Sequence, residues 1–136
     1  MPGRFKVKPA FLAIKYLPDM GNRRLIEALA AVLRQAGWQA LVIVRDVEDW
    51  GAKSFSPQEL MAQSELAIRK SQAVFVEASQ KGVGVGIEAG MAHALGIPVV
   101  VLAKTGTEVS PGLVGIAQEV LYYSQVSDLL PGILNL

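Results

Sequence analysis

Three alternate glycines, Gly82, Gly84 and Gly86, stand just ahead of a carboxylate in the run Ser79-Gln80-Lys81-Gly82-Val83-Gly84-Val85-Gly86-Ile87-Glu88-Ala89-Gly90. Without a Cβ, such residues let the backbone turn tightly and come close to a ligand. The amides that open a following helix point outward and attract negative charge. Read as a turn followed by a helix from about Ile87 to Leu95, the segment puts Glu88 in a first helical turn, where the helix dipole favours its ionised form. An ionised carboxylate beside a glycine turn suits attack on an anomeric carbon. Such carbons react through oxocarbenium-like transition states, which a carboxylate stabilises or captures as a covalent glycosyl intermediate.

Three plainer readings stand beside this one. A glutamate in an opening helical turn often does no more than complement the dipole. Gly84-Val85-Gly86-Ile87-Glu88-Ala89 also meets the loose dinucleotide-binding pattern with alanine last, and Glu108 lies about 20 residues further on. That fingerprint belongs to a first strand–helix unit, whereas this unit is the third, and a hydride-transfer enzyme needs a substrate region for which the chain has no room. Glycines required only for close packing leave the glutamate unexplained.

The elements that must carry this segment follow from hydrophobic periodicity. Strands are predicted over Ala10–Ile14, Ala40–Val44, Ala73–Ala78, Val99–Ala103 and Val120–Tyr123. Helices are predicted over Asn22–Ala36, Gln58–Lys70, Ile87–Leu95, Pro111–Gln118 and Ser127–Leu134. Leu25, Leu29, Val32 and Leu33 fall near one face of the first helix, and Gly37 is placed to end it. Strands apolar on both faces, alternating with helices, indicate a parallel sheet covered on both sides. The expected fold is therefore α/β: a single Rossmann- or flavodoxin-like domain, 1–136, with about five parallel strands and helices on both faces. Ligands in such sheets sit at the carboxyl ends of the strands, which directs attention to the loops after Ile14, Val44, Ala78 and Ala103.

Composition narrows the function classes. The chain has 136 residues, 51% of them hydrophobic and 18% charged, with a mean hydropathy of +0.36. That is apolar enough to predict surface buried against partner subunits. No apolar run reaches the roughly 18 residues of a membrane span, and Met1–Pro9 lacks the pattern of a signal peptide. There is no cysteine and one histidine, His93, so neither thiol chemistry nor a histidine-rich metal site is expected. Net charge is +1, with the cations scattered; Arg23 and Arg24 read as a solvated helix face, which argues against polymeric nucleic acid. The expectation is a cytoplasmic, metal-free protein without a cofactor.

The residues from Phe11 to about Tyr123 resemble the nucleoside 2-deoxyribosyltransferase family, which includes deoxynucleoside 5′-monophosphate N-glycosidases. The likeness is most specific in Val76-Glu77-Ala78-Ser79, in Gly84-Val85-Gly86-Ile87-Glu88-Ala89-Gly90, and in Ala94-Leu95-Gly96-Ile97-Pro98-Val99. The resemblance implies that Glu88 attacks C1′, releases the base, and passes the sugar to a second base or to water. It also implies sugar-site contacts from Phe11-Leu12-Ala13-Ile14-Lys15-Tyr16, with Ala13 lining the site, Tyr16 holding Glu88 or the sugar, and Lys15 facing a 5′-phosphate. Tyr16 also reads plainly as a half-buried aromatic at a strand end. Val109-Ser110-Pro111-Gly112 resembles a segment that reaches a neighbouring subunit's site, which implies a homodimer or higher homo-oligomer with a shared site. Ser110 alternatively reads as a helix N-cap.

Further expectations attach to the loop after the second strand, where the family places base contacts. Asp46 and Trp50 are candidates there, with Asp49 beside them; Trp50 either stacks on a base or covers the sheet edge. Glu77, in mid-strand, faces a solvated edge or bonds to the turn, and His93 reads as structural. One departure stands out. Where many family members carry an aspartate that protonates the base or positions the substrate, this chain has Ser64, with Glu65 about 100° further round the helix. Either another group, such as Asp46 or water, does that work, or the activity is weak, altered or absent. The expected partner is a small nucleoside or nucleotide. The alternative is a non-catalytic nucleotide-binding module of the same fold.

Overall fold

The computed structural model describes residues 6–136; Met1–Phe5, part of the stretch read for a signal peptide, lie outside the described residues. Five strands form one sheet: β1 (Lys8–Ala13), β2 (Trp38–Leu41), β3 (Ala73–Glu77), β4 (Val99–Lys104) and β5 (Glu119–Tyr123). Their order is β2-β1-β3-β4-β5, and every pairing is parallel. The helices are α1 (Arg23–Gln35), α2 (Pro57–Arg69), α3 (Val83–Ala94), α4 (Pro111–Ile116) and α5 (Leu130–Leu134). This is the flavodoxin-like α/β arrangement expected from the alternating apolar pattern. No helix among the described residues is long and apolar enough to cross a membrane.

Alternate strand residues point to opposite faces, so each strand feeds two cores. On one face Ala10, Leu12, Phe75, Val100 and Leu102 pack against Ile26, Leu29, Val32 and Leu33 of α1 and Ile133 of α5. On the other, Phe11, Ala13, Val74, Val76 and Val101 meet Ile68 of α2 and Val85, Ala89 and Ala92 of α3. Gly37 ends α1 as predicted, in the left-handed conformation at φ 90° that a side chain disfavours. Helix α2 starts where it does because Ser56 and Glu59 form a reciprocal capping box and Pro57 takes the first position, satisfying amides the helix cannot pair itself.

Two of the boundaries that differ from the sequence reading matter for the site. The second strand pairs with β1 only from Trp38 to Leu41, so the predicted Ala40–Val44 is corrected. Beyond it the chain makes one wide turn over Ile43–Val47, closed by the Glu48 N–H to the Ile43 carbonyl at 3.0 Å. A short apolar run cannot distinguish a strand from a turn that buries the same side chains. Helix α3 begins at Val83, not Ile87. Gly84 and Gly86 are poor helix formers, yet Val85, Ala89 and Ala92 lie on one helical face and are buried against the sheet. Tertiary burial overrides the propensity.

Candidate active site

At the carboxyl ends of β1 and β2 a cavity of about 290 Å³ opens between the sheet, α2 and α3. Its walls are mainly apolar, with Phe11 and Ile14 from β1 and its exit and Val42–Val44 from the wide turn. Its polar groups are few and come from separate elements: Tyr16, Glu48, Ser64 and Glu88. Gly84 also lines it, and a Cβ there would meet no protein atom within 4 Å. A glycine at this position leaves the space beside Glu88 open. An apolar hollow with a few convergent polar groups at the carboxyl edge of a parallel sheet is where a small ligand is expected.

Glu88 is the sixth residue of α3, which corrects its placement in the first turn. The dipole weakens beyond that turn, and burial governs the charge instead. Desolvation pushes the Glu88 carboxyl up to about 7, and a hydrogen bond from the Ser64 hydroxyl to the charged form holds it back in part. Ser64, itself buried, lines the same cavity as Glu88. Near neutral pH the group divides between acid and base, the range in which a carboxyl serves in proton transfer and as a nucleophile.

The turn that leads into α3 is anchored from below. Glu77, 3% exposed at the end of β3, accepts hydrogen bonds from the Ser79 N–H and from the Tyr123 hydroxyl on β5. Of the two expectations for Glu77, bonding to the turn is the one observed. Ser79 Oγ accepts from the Lys104 N–H at 2.8 Å, joining the ends of β3 and β4. Burial, followed by the Glu77 hydrogen bond and charge, raises the Tyr123 phenol above its ordinary value. Tyr123→Phe removes a donor from a buried carboxylate, so it should cost about 1–3 kcal/mol. Urea unfolding measures this, and an unchanged midpoint would rule out the anchoring role.

The sequence-derived site residues divide among several locations. Tyr16, Gly84 and Glu88 share the cavity. Ala13 does not line it: at 1% exposed it is packed in the core with α3. Asp46 does not line it either: its carboxylate accepts from the Val42 N–H at 2.8 Å and from Arg45 at 3.0 Å, shaping the wide turn. Trp50 sits behind Tyr16, with ring centroids 5.5 Å apart and the Arg23 guanidinium 4.4 Å above the indole. It buttresses the cavity wall; it is not part of the lining.

Lys15 lines a smaller cleft of about 100 Å³ with Asn22 and Lys104, and its ammonium donates to the Lys81 carbonyl at 3.3 Å. Gly82 and Gly86 face a third hollow of about 370 Å³, and Ser110 lies there with them, apart from Glu88 of the same chain. Ser110 occupies the N-cap position of α4, but its side chain makes no capping bond. His93 is exposed on α3. The sequence reading missed Glu48. It is one of three acidic residues among positions 46–49, and only the geometry of the wide turn separates the one facing the cavity from its neighbours.

No protein-family model matches the sequence, and no curated protein does. Solved structures share the fold. The CMP N-glycosidase BcmB of Clostridium botulinum is 20% identical, with 93% of this chain and 98% of that one covered and a TM-score of 0.68. The solution structure of BlsM is 23% identical, covering 96% and 89%, with a TM-score of 0.69. A 2-deoxyribosyltransferase from Bacillus psychrosaccharolyticus is 17% identical, covering 90% of each chain, with a TM-score of 0.70. At these identities the likeness is one of fold, and it runs through nearly all of the described sheet and helices.

Proposed function

We propose that this protein is an enzyme of the nucleoside 2-deoxyribosyltransferase type. It cleaves the N-glycosidic bond of a (deoxy)nucleoside or its 5′-monophosphate and passes the sugar to another base or to water. The observation that carries the reading is Glu88, a desolvated carboxyl in an apolar cavity at the sheet's carboxyl edge. In its ionised form it attacks C1′ as the bond to the base breaks, giving a glycosyl ester that the second acceptor resolves. Tyr16 and the open space at Gly84 border the reacting sugar. The shared fold with a CMP N-glycosidase and a 2-deoxyribosyltransferase supports the same class of substrate.

Chromatography of purified protein incubated with ribo- and deoxyribonucleosides and their 5′-monophosphates, with and without free acceptor base, tests this. Release of free base is the expected result, and an effect of the acceptor separates transfer from hydrolysis. Binding without turnover across the panel would favour a nucleotide-binding module instead.

The active unit in this reading is a homo-oligomer in which Ser110 of one copy serves the site of another. The support is that Ser110 carries an uncapped hydroxyl away from its own Glu88. In addition, α3 exposes Val83 and Ile87, at 82% and 48%, neighbours one turn apart on one helix face and available to a partner surface. Light scattering at micromolar concentration should give a dimer or larger, and a monomer would remove the shared site from the mechanism.

A further inference from the structure

A nucleobase leaves poorly as an anion, so cleavage of its bond to C1′ needs a proton delivered to the base as well as a nucleophile. The titratable groups lining the cavity are Tyr16, Glu48 and Glu88. Phenols are far weaker acids than carboxyls, and Glu88 is committed to C1′. The neighbouring carboxylates are otherwise engaged or directed elsewhere: Asp46 is bonded to the Val42 N–H and Arg45, Asp49 is exposed and outside the lining, and Glu65 pairs with Arg69 at 3.1 Å.

Glu48 differs from all of these. Its side chain makes no hydrogen bond or ion pair among the described residues, while its backbone is held at both ends. The Glu48 N–H donates to the Ile43 carbonyl at 3.0 Å, and the Glu48 carbonyl accepts from the N–H groups of Gly51 and Lys53, each at 3.0 Å. Asp49, Trp50 and Gly51 follow with φ of 47°, 57° and 95°. Two consecutive non-glycine residues in the left-handed region are strained, and strain of this kind concentrates at functional sites. The turn therefore holds the Glu48 backbone in the wall formed by the β2 exit, with a carboxyl that has no partner among the described residues, and Glu88 of α3 lines the same cavity.

We propose that Glu48 is the general acid and base of the reaction, an assignment that rests on the glycosidic reading of Glu88. In the first step the Glu48 carboxyl gives its proton to a ring nitrogen of the base. The C1′–N bond breaks with its electron pair passing to the base, and a Glu88 oxygen bonds to C1′. In the second step water, or an acceptor base, bonds to C1′ and surrenders a proton to the Glu48 carboxylate, and the ester electron pair returns to Glu88. Both carboxylates end as they began.

The test uses the panel member that the wild-type protein cleaves fastest. Glu48→Gln keeps the shape and removes the proton, so kcat should fall by about 10²–10⁴-fold with KM changed only slightly. Added formate should restore part of the turnover of Glu48→Ala by supplying the missing acid. Wild-type kcat in Glu48→Gln would overturn the assignment. So would a loss that formate does not relieve and that appears chiefly in KM, because that outcome describes a positioning residue. Absence of wild-type turnover on every member would remove the glycosidic reading and this one together. A fully active Glu48→Gln beside an inactive Glu88→Ala would remove this one alone.

Discussion

Glu88→Ala should lose at least about 10³-fold in glycosidic cleavage, the scale on which removal of a nucleophile acts, while its circular dichroism stays that of the wild type. The fold is expected to survive because the Glu88 carboxyl extends into a cavity and bears no part of the apolar packing made by Val85, Ala89 and Ala92 of the same helix. The substitution takes a polar neighbour from the Ser64 side of the cavity and leaves the apolar packing untouched. Mass spectrometry of acid-quenched wild-type reactions should locate a glycosyl adduct on the peptide that contains Glu88. Wild-type turnover in the alanine variant would end the assignment. The wild-type pH–rate profile adds a signed expectation. The nucleophile must be ionised and burial pushes its carboxyl up to about 7, so the acid limb of the profile should rise with pH through that value.

Glu88→Gln should make the protein more stable at pH 8 and leave it nearly unchanged at pH 4. In the folded chain the carboxyl keeps its proton to about 7, whereas its ordinary value is 4.5. Between these two the native state binds more protons than the unfolded state, so stability declines as pH rises through the window. At about 1.4 kcal/mol per pH unit the full cost is on the order of 3 kcal/mol, reached above pH 7 and absent below pH 4.5. A neutral amide avoids that desolvation. Denaturant unfolding at the two pH values measures it, and equal stability of the two proteins at pH 8 would show that Glu88 is not desolvated. Loss of activity together with gain in stability is the mark of a group held in place for chemistry at the expense of the fold.

The burial that produces this cost was not legible in the segment around Glu88, and the reason is physical. Alternating glycines depress helix propensity, which put the helix start at Ile87. The helix in fact starts at Val83, because packing of Val85, Ala89 and Ala92 on the sheet outweighs the loss. That shift of one turn moved Glu88 from a dipole-dominated position to a burial-dominated one and reversed the expected direction of its charge preference. The Val85–Ala89–Ala92 spacing carried the helical signal, and the glycines masked it.

What the sequence by itself determined were the features set by local and periodic physics. Apolar strand residues on both faces require a covered parallel sheet. Helix α2 starts where Ser56, Pro57 and Glu59 satisfy its first amides, and α1 stops where Gly37 accepts a positive φ. The position of the Gly84 and Glu88 neighbourhood was legible as well, since it follows the third strand and the loops at the carboxyl ends of such a sheet are where ligands sit. Tertiary structure alone decided which side chains converge there. Asp46, Glu48 and Asp49 are chemically alike and adjacent, and only the wide turn closed between Glu48 and Ile43 sends one to the cavity and another to the Val42 amide. Ser64 and Glu88 are brought together only by the packing of α2 and α3 on one face of the sheet. Ala13 lies in the core because strand alternation points it beneath α3. Contacts between residues distant in sequence depend on the register and packing of whole elements, which no local pattern encodes.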